Sequence, residues 1–251
     1  MTILQAYHRP RDLDTALRLL ARSDVRTAVL AGGIHLNPHR PEDVIEVVDL
    51  QDLELEGVRR ADDRIAVGAM TRLQALVEDE TLPELIRICA HRSGPNTFRN
   101  QGTIGGVVVG ADPESELLAA LLVHEAEVTV RRQADSQRLP LAAFLEDIAA
   151  AVRGGLVTEI TFASTGAGAV ERVARTPADK PIVAAVARRR PDGTTLLALC
   201  GVAPTPILLD SDQIAELRPP ADFRGSSEYR REMARVLSRR ALQTLQSSQG
   251  D

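Results

Sequence analysis

Two glycine-rich segments carry the residue types that could bind a phosphate-sized anion. Residues 99–106 read RNQGTIGG, with three glycines and a threonine within residues 102–106. Residues 29–36 read VLAGGIHL, an apolar run that breaks into two adjacent glycines. Adjacent glycines let backbone N–H groups face a ligand with no Cβ in the way. Two such segments in one small chain predict a diphosphate that is held from both sides.

Several of these residues also have a plainer interpretation. A glycine pair alone can form an ordinary turn, and neither segment has the G-x-G-x-x-G spacing of a Rossmann fold. His35 could donate to a phosphate or simply lie in a surface loop. Asp112 followed by Pro113 suits the start of a helix as well as a ligand contact. Ser115 has no neighbouring base and the histidines lack metal-ligand spacing, so hydrolase or metal chemistry is not expected.

Composition limits the classes of protein to consider. The 251 residues suffice for one large or two modest domains, and 44% hydrophobic with 26% charged residues is typical of a globular protein. A net charge of -5 and 2% aromatic residues argue against nucleic-acid binding and a membrane aromatic belt. Cys89 and Cys200 are too few for an iron–sulfur cluster. With no signal-peptide or membrane-span pattern, the predicted location is cytoplasmic, without direct membrane insertion.

The apolar pattern predicts the elements that position the first glycine segment. A helix after Asp12, a short buried strand at residues 28–31 and a strand at residues 44–49 form a βαβ-like opening unit. The first glycine pair ends the strand at 28–31, where ligands of α/β folds tend to bind. In the next unit, Thr71 is expected to cap the helix that follows it.

The remaining elements follow the second glycine segment. Residues 115–124 predict a helix with four leucines on one face, and residues 156–162 predict a strand. The small residues 164–168 are the best candidate for a linker. Beyond it, the pattern predicts two strands joined by a hairpin turn and a long helix at 228–245. The arginines at 188–190 are expected to lie on a solvated turn.

The ordered set of motifs resembles the flavin-binding subunit of the molybdenum-containing hydroxylases. This family includes the medium subunit of aerobic carbon monoxide dehydrogenase and the FAD domain of xanthine dehydrogenase. The resemblance covers nearly the whole chain. Its motifs are AGG at 31–33, GAMT at 68–71, RNQGTIGG at 99–106, ADP at 111–113, the strand at 156–162, GVAPTP at 201–206 and SEYRR at 227–231.

The resemblance implies an α+β protein with a two-subdomain FAD-binding fold of the vanillyl-alcohol-oxidase type, followed by a small α+β C-terminal domain of sheet plus helices. The FAD-binding domain would span residues 1–165, with subdomains at roughly 1–55 and 56–165, and the C-terminal domain residues 166–251. In such proteins the two glycine loops hold the FAD pyrophosphate. Glycine N–H groups and the Thr103 hydroxyl would supply the donors without a cation.

The resemblance also assigns residues to FAD and none to catalysis or to a metal. Glu116 matches an acidic position near the ribityl chain or the flavin ring, and Arg172 and Asp179 could reach the ring. The full set is Val29, Leu30, Ala31, Gly32, Gly33, Ile34, His35, Leu36, Thr103, Ile104, Gly105, Gly106, Asp112, Glu116, Arg172 and Asp179.

Six positions depart from the family's pattern. Ile34 and His35 replace a Thr, Gln or His and a Ser or Asp after the first glycine pair, Val107 replaces an asparagine and Gly110 replaces a histidine. Val170 and Arg172 stand where a tyrosine and a lysine often lie near the flavin. Polar and stacking contacts to FAD are therefore lost, while the backbone-mediated contacts remain. Binding is expected to be weaker at the flavin half than at the pyrophosphate.

The function that the resemblance implies is electron transfer rather than substrate chemistry. Electrons would pass from a molybdenum cofactor in a large partner subunit, through 2Fe-2S clusters in a small partner subunit, to FAD in this chain and on to an external acceptor. The complex would be a dimer of heterotrimers. Two alternatives stay open: a flavin-poor or flavin-free structural subunit of the same kind of complex, and a stand-alone flavin oxidoreductase acting on a small molecule.

Overall fold

The computed structural model describes residues 3–36 and 40–247, which form three β-sheets with helices packed around and between them. The strands are β1 Ala6–His8, β2 Thr27–Leu30, β3 Glu46–Asp49, β4 Val58–Ala61, β5 Arg64–Gly68, β6 Glu127–Arg132, β7 Ser136–Pro140, β8 Gly155–Ala163, β9 Ala167–Val173, β10 Val183–Arg189, β11 Thr195–Cys200 and β12 Ile207–Leu208. The helices are α1 Leu13–Leu20, α2 Leu73–Glu78, α3 Glu84–Arg92, α4 Asn96–Arg99, α5 Ile104–Gly110, α6 Glu116–Val123, α7 Leu141–Glu146, α8 Ile148–Ala151 and α9 Ser227–Ser247, with a 3₁₀ turn at Gln213–Glu216. The predicted α+β class is confirmed.

The first sheet is parallel, with the strand order β1-β3-β2, and α1 connects β1 to β2. The Asp12 carboxylate accepts a hydrogen bond from the Thr15 N–H at 2.7 Å, which starts α1 where the sequence predicted it. The predicted βαβ-like opening is thus present. The strand predicted at residues 28–31 is half-buried rather than buried. Its carboxyl end leads directly into the first glycine loop, residues 31–36.

The second sheet is antiparallel, with the strand order β4-β5-β8-β6-β7. The prediction that Thr71 caps α2 is wrong, because Arg72 occupies the cap position without a side-chain hydrogen bond. The Thr71 hydroxyl instead accepts from the Gly57 N–H at 2.9 Å and donates to the Gly57 carbonyl at 3.2 Å. Thr71 therefore ties the segment before α2 to the segment before β4.

Helix α6 lies in the largest hydrophobic core and is buried along its whole length. The four leucines predicted to share one face are buried, and the residues between them are buried too, since α6 packs against α3 on one side and against β10 and β11 on another. A helix that is apolar all round is buried on all sides. The sequence ELLAALLV has this character, so α6 serves as the central element between the second and third sheets.

The third sheet is antiparallel, with the strand order β12-β11-β10-β9. Alternate residues of β10 enter different cores: Ala184 and Val186 join the core around α6, and Val183 and Ala185 join the core beneath α9. This sheet therefore separates two helical layers. Over the two described ranges, no helix combines the length and the apolar content needed to cross a bilayer.

The connection between the second and third sheets is shorter than the predicted linker. β8 ends at Ala163 and β9 begins at Ala167, so only residues 164–166 connect them. The prediction of a solvated turn is wrong for Arg188, which is 2% exposed and donates to the carbonyls of Thr165 and Val123 at 2.8 and 3.0 Å. The three sheets fall within the ranges 1–55, 56–165 and 166–251, whereas the division into separate domains stays a prediction.

Candidate functional site

A cavity of about 680 Å³ lies where the two glycine segments come together, and this volume is typical of ligand-binding pockets. Most of the residues that the sequence assigned to FAD line it. These are Val29, Ala31, Gly32, Gly33, Ile34, His35 and Leu36 from the first segment, Thr103, Gly105 and Gly106 from the second, and Asp112 and Glu116 beyond α5. The first glycine loop and the second glycine loop, residues 101–106, thus face one common space.

The two loops are in direct backbone contact at Gly32. A Cβ placed on Gly32 would lie 1.9 Å from the Gln101 carbonyl oxygen, which no side chain could tolerate. Gly33 has a φ of 74°, in the left-handed region that favours glycine. The glycine pair therefore has two separate roles, since Gly32 permits the contact between the loops and Gly33 permits the turn.

Two glycine N–H groups of the second loop have protein acceptors. The Gly105 N–H donates to the Ala69 carbonyl at 2.8 Å, and the Gly106 N–H donates to Thr103 Oγ1 at 3.0 Å. These two groups are therefore not free donors in this arrangement, and their contact with a diphosphate stays a prediction. Gly105 instead allows a close approach, since a Cβ there would lie 2.7 Å from the Ala69 oxygen.

Free donors come mainly from the first loop. Within residues 3–36 and 40–247, the backbone N–H groups of Gly32, Gly33, Ile34 and Thr103 have no hydrogen-bond acceptor, and all four residues line the cavity. The Thr103 hydroxyl accepts from Gly106 and keeps its own hydrogen for a ligand. Unpaired backbone donors at a cavity wall are a binding site for an anion. The structure therefore contains donors that fit a pyrophosphate.

A buried carboxylate lies farther along the cavity. Glu116, the first residue of α6, is 4% exposed, and its Oε1 lies 3.1 Å from Nη1 of Arg92. Its Oε2 lies 3.5 Å from Nη1 of Arg172. Burial raises the pKa of the Glu116 carboxyl, and the two guanidiniums act in the opposite direction. The carboxylate thus lines the cavity as one member of an ionic cluster.

Four of the assigned residues do not line the cavity: Leu30, Ile104, Arg172 and Asp179. The Ile104 side chain is fully buried in the core. Arg172 donates to the Asp179 carbonyl and pairs with Glu116, while the Asp179 carboxylate pairs with Arg175 at 3.4 Å. In this arrangement protein groups pair with both side chains, and the contact of Arg172 and Asp179 with a bound ring stays a prediction.

Sequence reasoning missed Arg92, Ser93, Phe98 and Lys180, which all line the cavity. Arg92 has no local signal, because its partner Glu116 lies 24 positions later in the chain. Lys180 is marked in the sequence, since it is the chain's only lysine. Its ammonium donates to the Asp112 carboxylate.

The departures from the family's pattern leave part of the cavity wall without polar side chains. Val107 and Gly110 on α5 both line the cavity. A Cβ placed on Gly110 would meet no atom within 4 Å, so a larger side chain would have room there. The wall along α5 therefore offers space and apolar surface at the two positions where the resemblance led us to expect an asparagine and a histidine.

A three-sheet α+β fold whose glycine loops meet at a donor-lined cavity defines a flavin-nucleotide-binding protein. The sequence matches the family described as "FAD binding domain in molybdopterin dehydrogenase" over residues 2–162, and the chain belongs to that family. The predicted family and its cofactor, FAD, are thereby confirmed. So is the enzyme class, since relatives of this chain are named subunits of dehydrogenases.

Three similarities extend over nearly the full length of the chain. Protein YgfM of Escherichia coli K12 is 31% identical and the match covers 94% of each chain. The carbon monoxide dehydrogenase medium chain of Afipia carboxidovorans is 28% identical over 94% of this chain and 95% of its own. A carbon monoxide dehydrogenase structure from Hydrogenophaga pseudoflava superposes with a TM-score of 0.86 at 23% identity, covering 98% of this chain and 99% of that one. The last similarity concerns the fold alone.

Proposed function

We propose that this chain is the FAD-binding electron-transfer subunit of a multi-subunit molybdenum hydroxylase. The observation that carries the proposal is the set of unpaired N–H groups at Gly32, Gly33, Ile34 and Thr103, all on one cavity. These groups would hold the pyrophosphate of FAD from two sides. The family match over residues 2–162 supports the same ligand.

Bound FAD would supply the redox chemistry, while the chain supplies binding, orientation and exclusion of water. Gly32 and Thr103 would orient the pyrophosphate through their N–H groups, and Glu116 would accept hydrogen bonds from hydroxyl or N–H groups of the ligand. The apolar side chains of Val107 and Val157, which also line the cavity, would keep water from the bound molecule. In this proposal the residues of the chain transfer no protons.

The proposed assembly follows the relatives' names, which describe medium chains and subunits of dehydrogenases. In it, a large subunit would carry the molybdenum cofactor and a small subunit would carry 2Fe-2S clusters, and the complex would be a dimer of such heterotrimers. Electrons would pass from the clusters to FAD and then to an external acceptor. The proposed domain division is 1–165 and 166–251, and the proposed location is cytoplasmic.

Cofactor content of the purified complex tests the proposal. The chain is co-purified with its partners under mild conditions, and the flavin released by denaturation is quantified against the chain by absorbance and mass spectrometry. About one FAD per chain is expected, together with molybdenum and iron in the partner chains. An intact complex that releases no flavin would refute the electron-transfer role.

A flavin-poor structural subunit of the same kind of complex is the second candidate. The occupied N–H groups of Gly105 and Gly106 favour it, and so does the lack of a polar side chain at Val107 and Gly110, because both reduce the polar contacts available to FAD. The same release experiment separates the two candidates. A sub-stoichiometric flavin content in a complete complex, unchanged by added FAD, would favour the structural role.

A further inference from the structure

The cavity lining contains two unlike groups of side chains, called here the apolar end and the charged end. The apolar end comprises members of one hydrophobic cluster, among them Val29, Leu50 and Leu156. The charged end comprises Arg92, Asp112, Glu114, Glu116 and Lys180. The glycine loops also line the cavity, so the two halves of a dinucleotide held there at its pyrophosphate would meet different surroundings.

Lys180 differs from the other cations near the charged end. Arg92 and Arg172 both pair with the buried carboxylate of Glu116, which fixes their guanidiniums. Lys180 lies between β9 and β10, its side chain is 55% exposed, and its ammonium pairs with Asp112. An ammonium on a flexible four-carbon stem can reorient towards a ligand while keeping a carboxylate partner.

We infer that Lys180 contacts the flavin half of the bound FAD and stabilises its reduced form. The inference rests on the proposed FAD site and goes beyond it, since it names the cation that faces the ring. The isoalloxazine ring and its ribityl chain carry many hydrogen-bonding atoms, which suit the charged end of the cavity. The adenosine half would then leave the pyrophosphate towards the apolar end.

The expected electrostatic effect has a definite sign. Reduction of the flavin by two electrons and one proton adds one negative charge to the ring. A nearby ammonium stabilises that charge and raises the reduction potential, whereas the Asp112 carboxylate opposes it. Removal of Lys180 and removal of the Asp112 charge should therefore shift the potential in opposite directions.

The single lysine makes the contact directly observable. Reductive methylation of the full chain with ¹³C-formaldehyde labels only Lys180 and the terminal amine, and Lys180→Arg identifies the lysine signal by its loss. FAD and FMN are expected to shift this NMR signal, while ADP leaves it in place. A signal that moves with ADP but not with FMN would overturn the inference.

The reduction potential is the second readout, measured by stepwise reduction of the intact complex with dithionite, which is oxidised to sulfite. Lys180→Met is expected to shift the flavin midpoint potential to a more negative value. Asp112→Asn, which keeps the oxygen that accepts from the Glu114 N–H, is expected to shift it to a more positive one. Arg175→Met is the matched control, because Arg175 lies on the same loop without lining the cavity.

The outcomes separate this inference from the proposed function. In one outcome FAD binds to the wild-type complex, but added ligand does not shift the Lys180 NMR signal and Lys180→Met does not shift the flavin midpoint potential. Lys180 is then not the cation at the ring, and only this inference is refuted. If wild-type protein binds no FAD at all, the proposed function and the inference are both refuted.

Discussion

Gly32 of the first glycine loop lies against the Gln101 carbonyl of the second, at a distance that leaves no room for a Cβ. Because the unpaired N–H groups are on both loops, the spacing between the loops sets the geometry of the anion site. The contact between these two residues therefore determines whether the donors converge.

Gly32→Ala is expected to separate the loops. A Cβ at 1.9 Å from the Gln101 oxygen forces the backbone to move, which should lower FAD affinity by roughly tenfold or more and the free energy of unfolding by about 2 kcal/mol. Flavin titration and urea unfolding measure the two effects. Gly110→Ala is the control: its Cβ meets no atom within 4 Å, so stability should stay equal or rise by up to about 1 kcal/mol. Unchanged FAD affinity in Gly32→Ala would contradict this account.

Glu116→Gln is expected to destabilise the protein. The substitution keeps the shape and removes the burial cost that raises the pKa of Glu116, but it leaves Arg92 and Arg172 without their shared carboxylate. The second effect is the larger one, so the unfolding free energy should fall by about 2 kcal/mol. Urea unfolding of the full chain measures it. Glu232→Gln, which breaks an exposed ion pair with Arg235 on α9, should change the same quantity much less, because solvent screens exposed ion pairs. Equal effects of the two substitutions would show that the buried ion pairs of Glu116 contribute no more to the unfolding free energy than an exposed ion pair does.

His124 is expected to make stability depend on pH. Its side chain is 1% exposed at the end of α6, and Nδ1 lies 2.7 Å from the Ala163 carbonyl oxygen. Burial lowers the pKa of His124 from 6.5 to about 4, so the neutral form is favoured in the folded state. The stabilisation is complete above the unfolded pKa near 6.5 and is lost as the pH falls towards about 4.

Urea unfolding at about pH 7.5 and about pH 5 tests the titration, with an expected loss of about 2 kcal/mol from this group. His124→Gln removes the titrating ring, so the difference in unfolding free energy between wild type and variant should shrink at the lower pH. His91→Gln, at an exposed position of α3, is the control substitution. A constant difference between wild type and His124→Gln at both pH values would refute the prediction.

Arg188→Met is expected to weaken the junction between the second and third sheets. The buried guanidinium donates to the Thr165 and Val123 carbonyls and pairs with Glu125 at 3.1 Å, so its loss leaves buried acceptors unpaired and should cost about 3 kcal/mol or more. Thermal or urea unfolding measures the cost. Arg190→Met removes a more exposed arginine from the same Glu125 and should cost less than about 1 kcal/mol. A small effect of Arg188→Met would contradict the prediction.

Features written in local sequence were predictable. The opening βαβ-like unit follows from the Asp12 cap and a clear apolar pattern, and both appear in the structure. The two glycine loops could be paired because their order matches that of a known family. The apolar sequence of α6 also contained the signal for burial on all sides, since it has no polar face after Glu116.

Other features depend on partners that are distant in the chain. Whether a glycine N–H is free depends on its acceptor, and the acceptor of Gly105 is the Ala69 carbonyl, 36 positions earlier. Arg188 resembles a surface arginine until Val123 and Thr165 are placed beside it by the fold. The ion pair between Arg172 and Glu116 likewise joins residues that are far apart in the chain. No local pattern encodes such contacts, because they form only when separate sheets pack together.

Residues from all three sheets line the cavity: Val29 lies in the first sheet, Val157 lies in the second and Lys180 lies beside the third. A ligand that contacts all three sheets binds the folded protein but not a form in which the sheets have separated. At a ligand concentration of about 100 times its Kd, binding would raise the free energy of this separation by roughly 2.7 kcal/mol. Proteases cleave the opened form, and its population would fall about a hundredfold. Bound cofactor would thereby protect this polypeptide from proteolysis, in addition to its redox role.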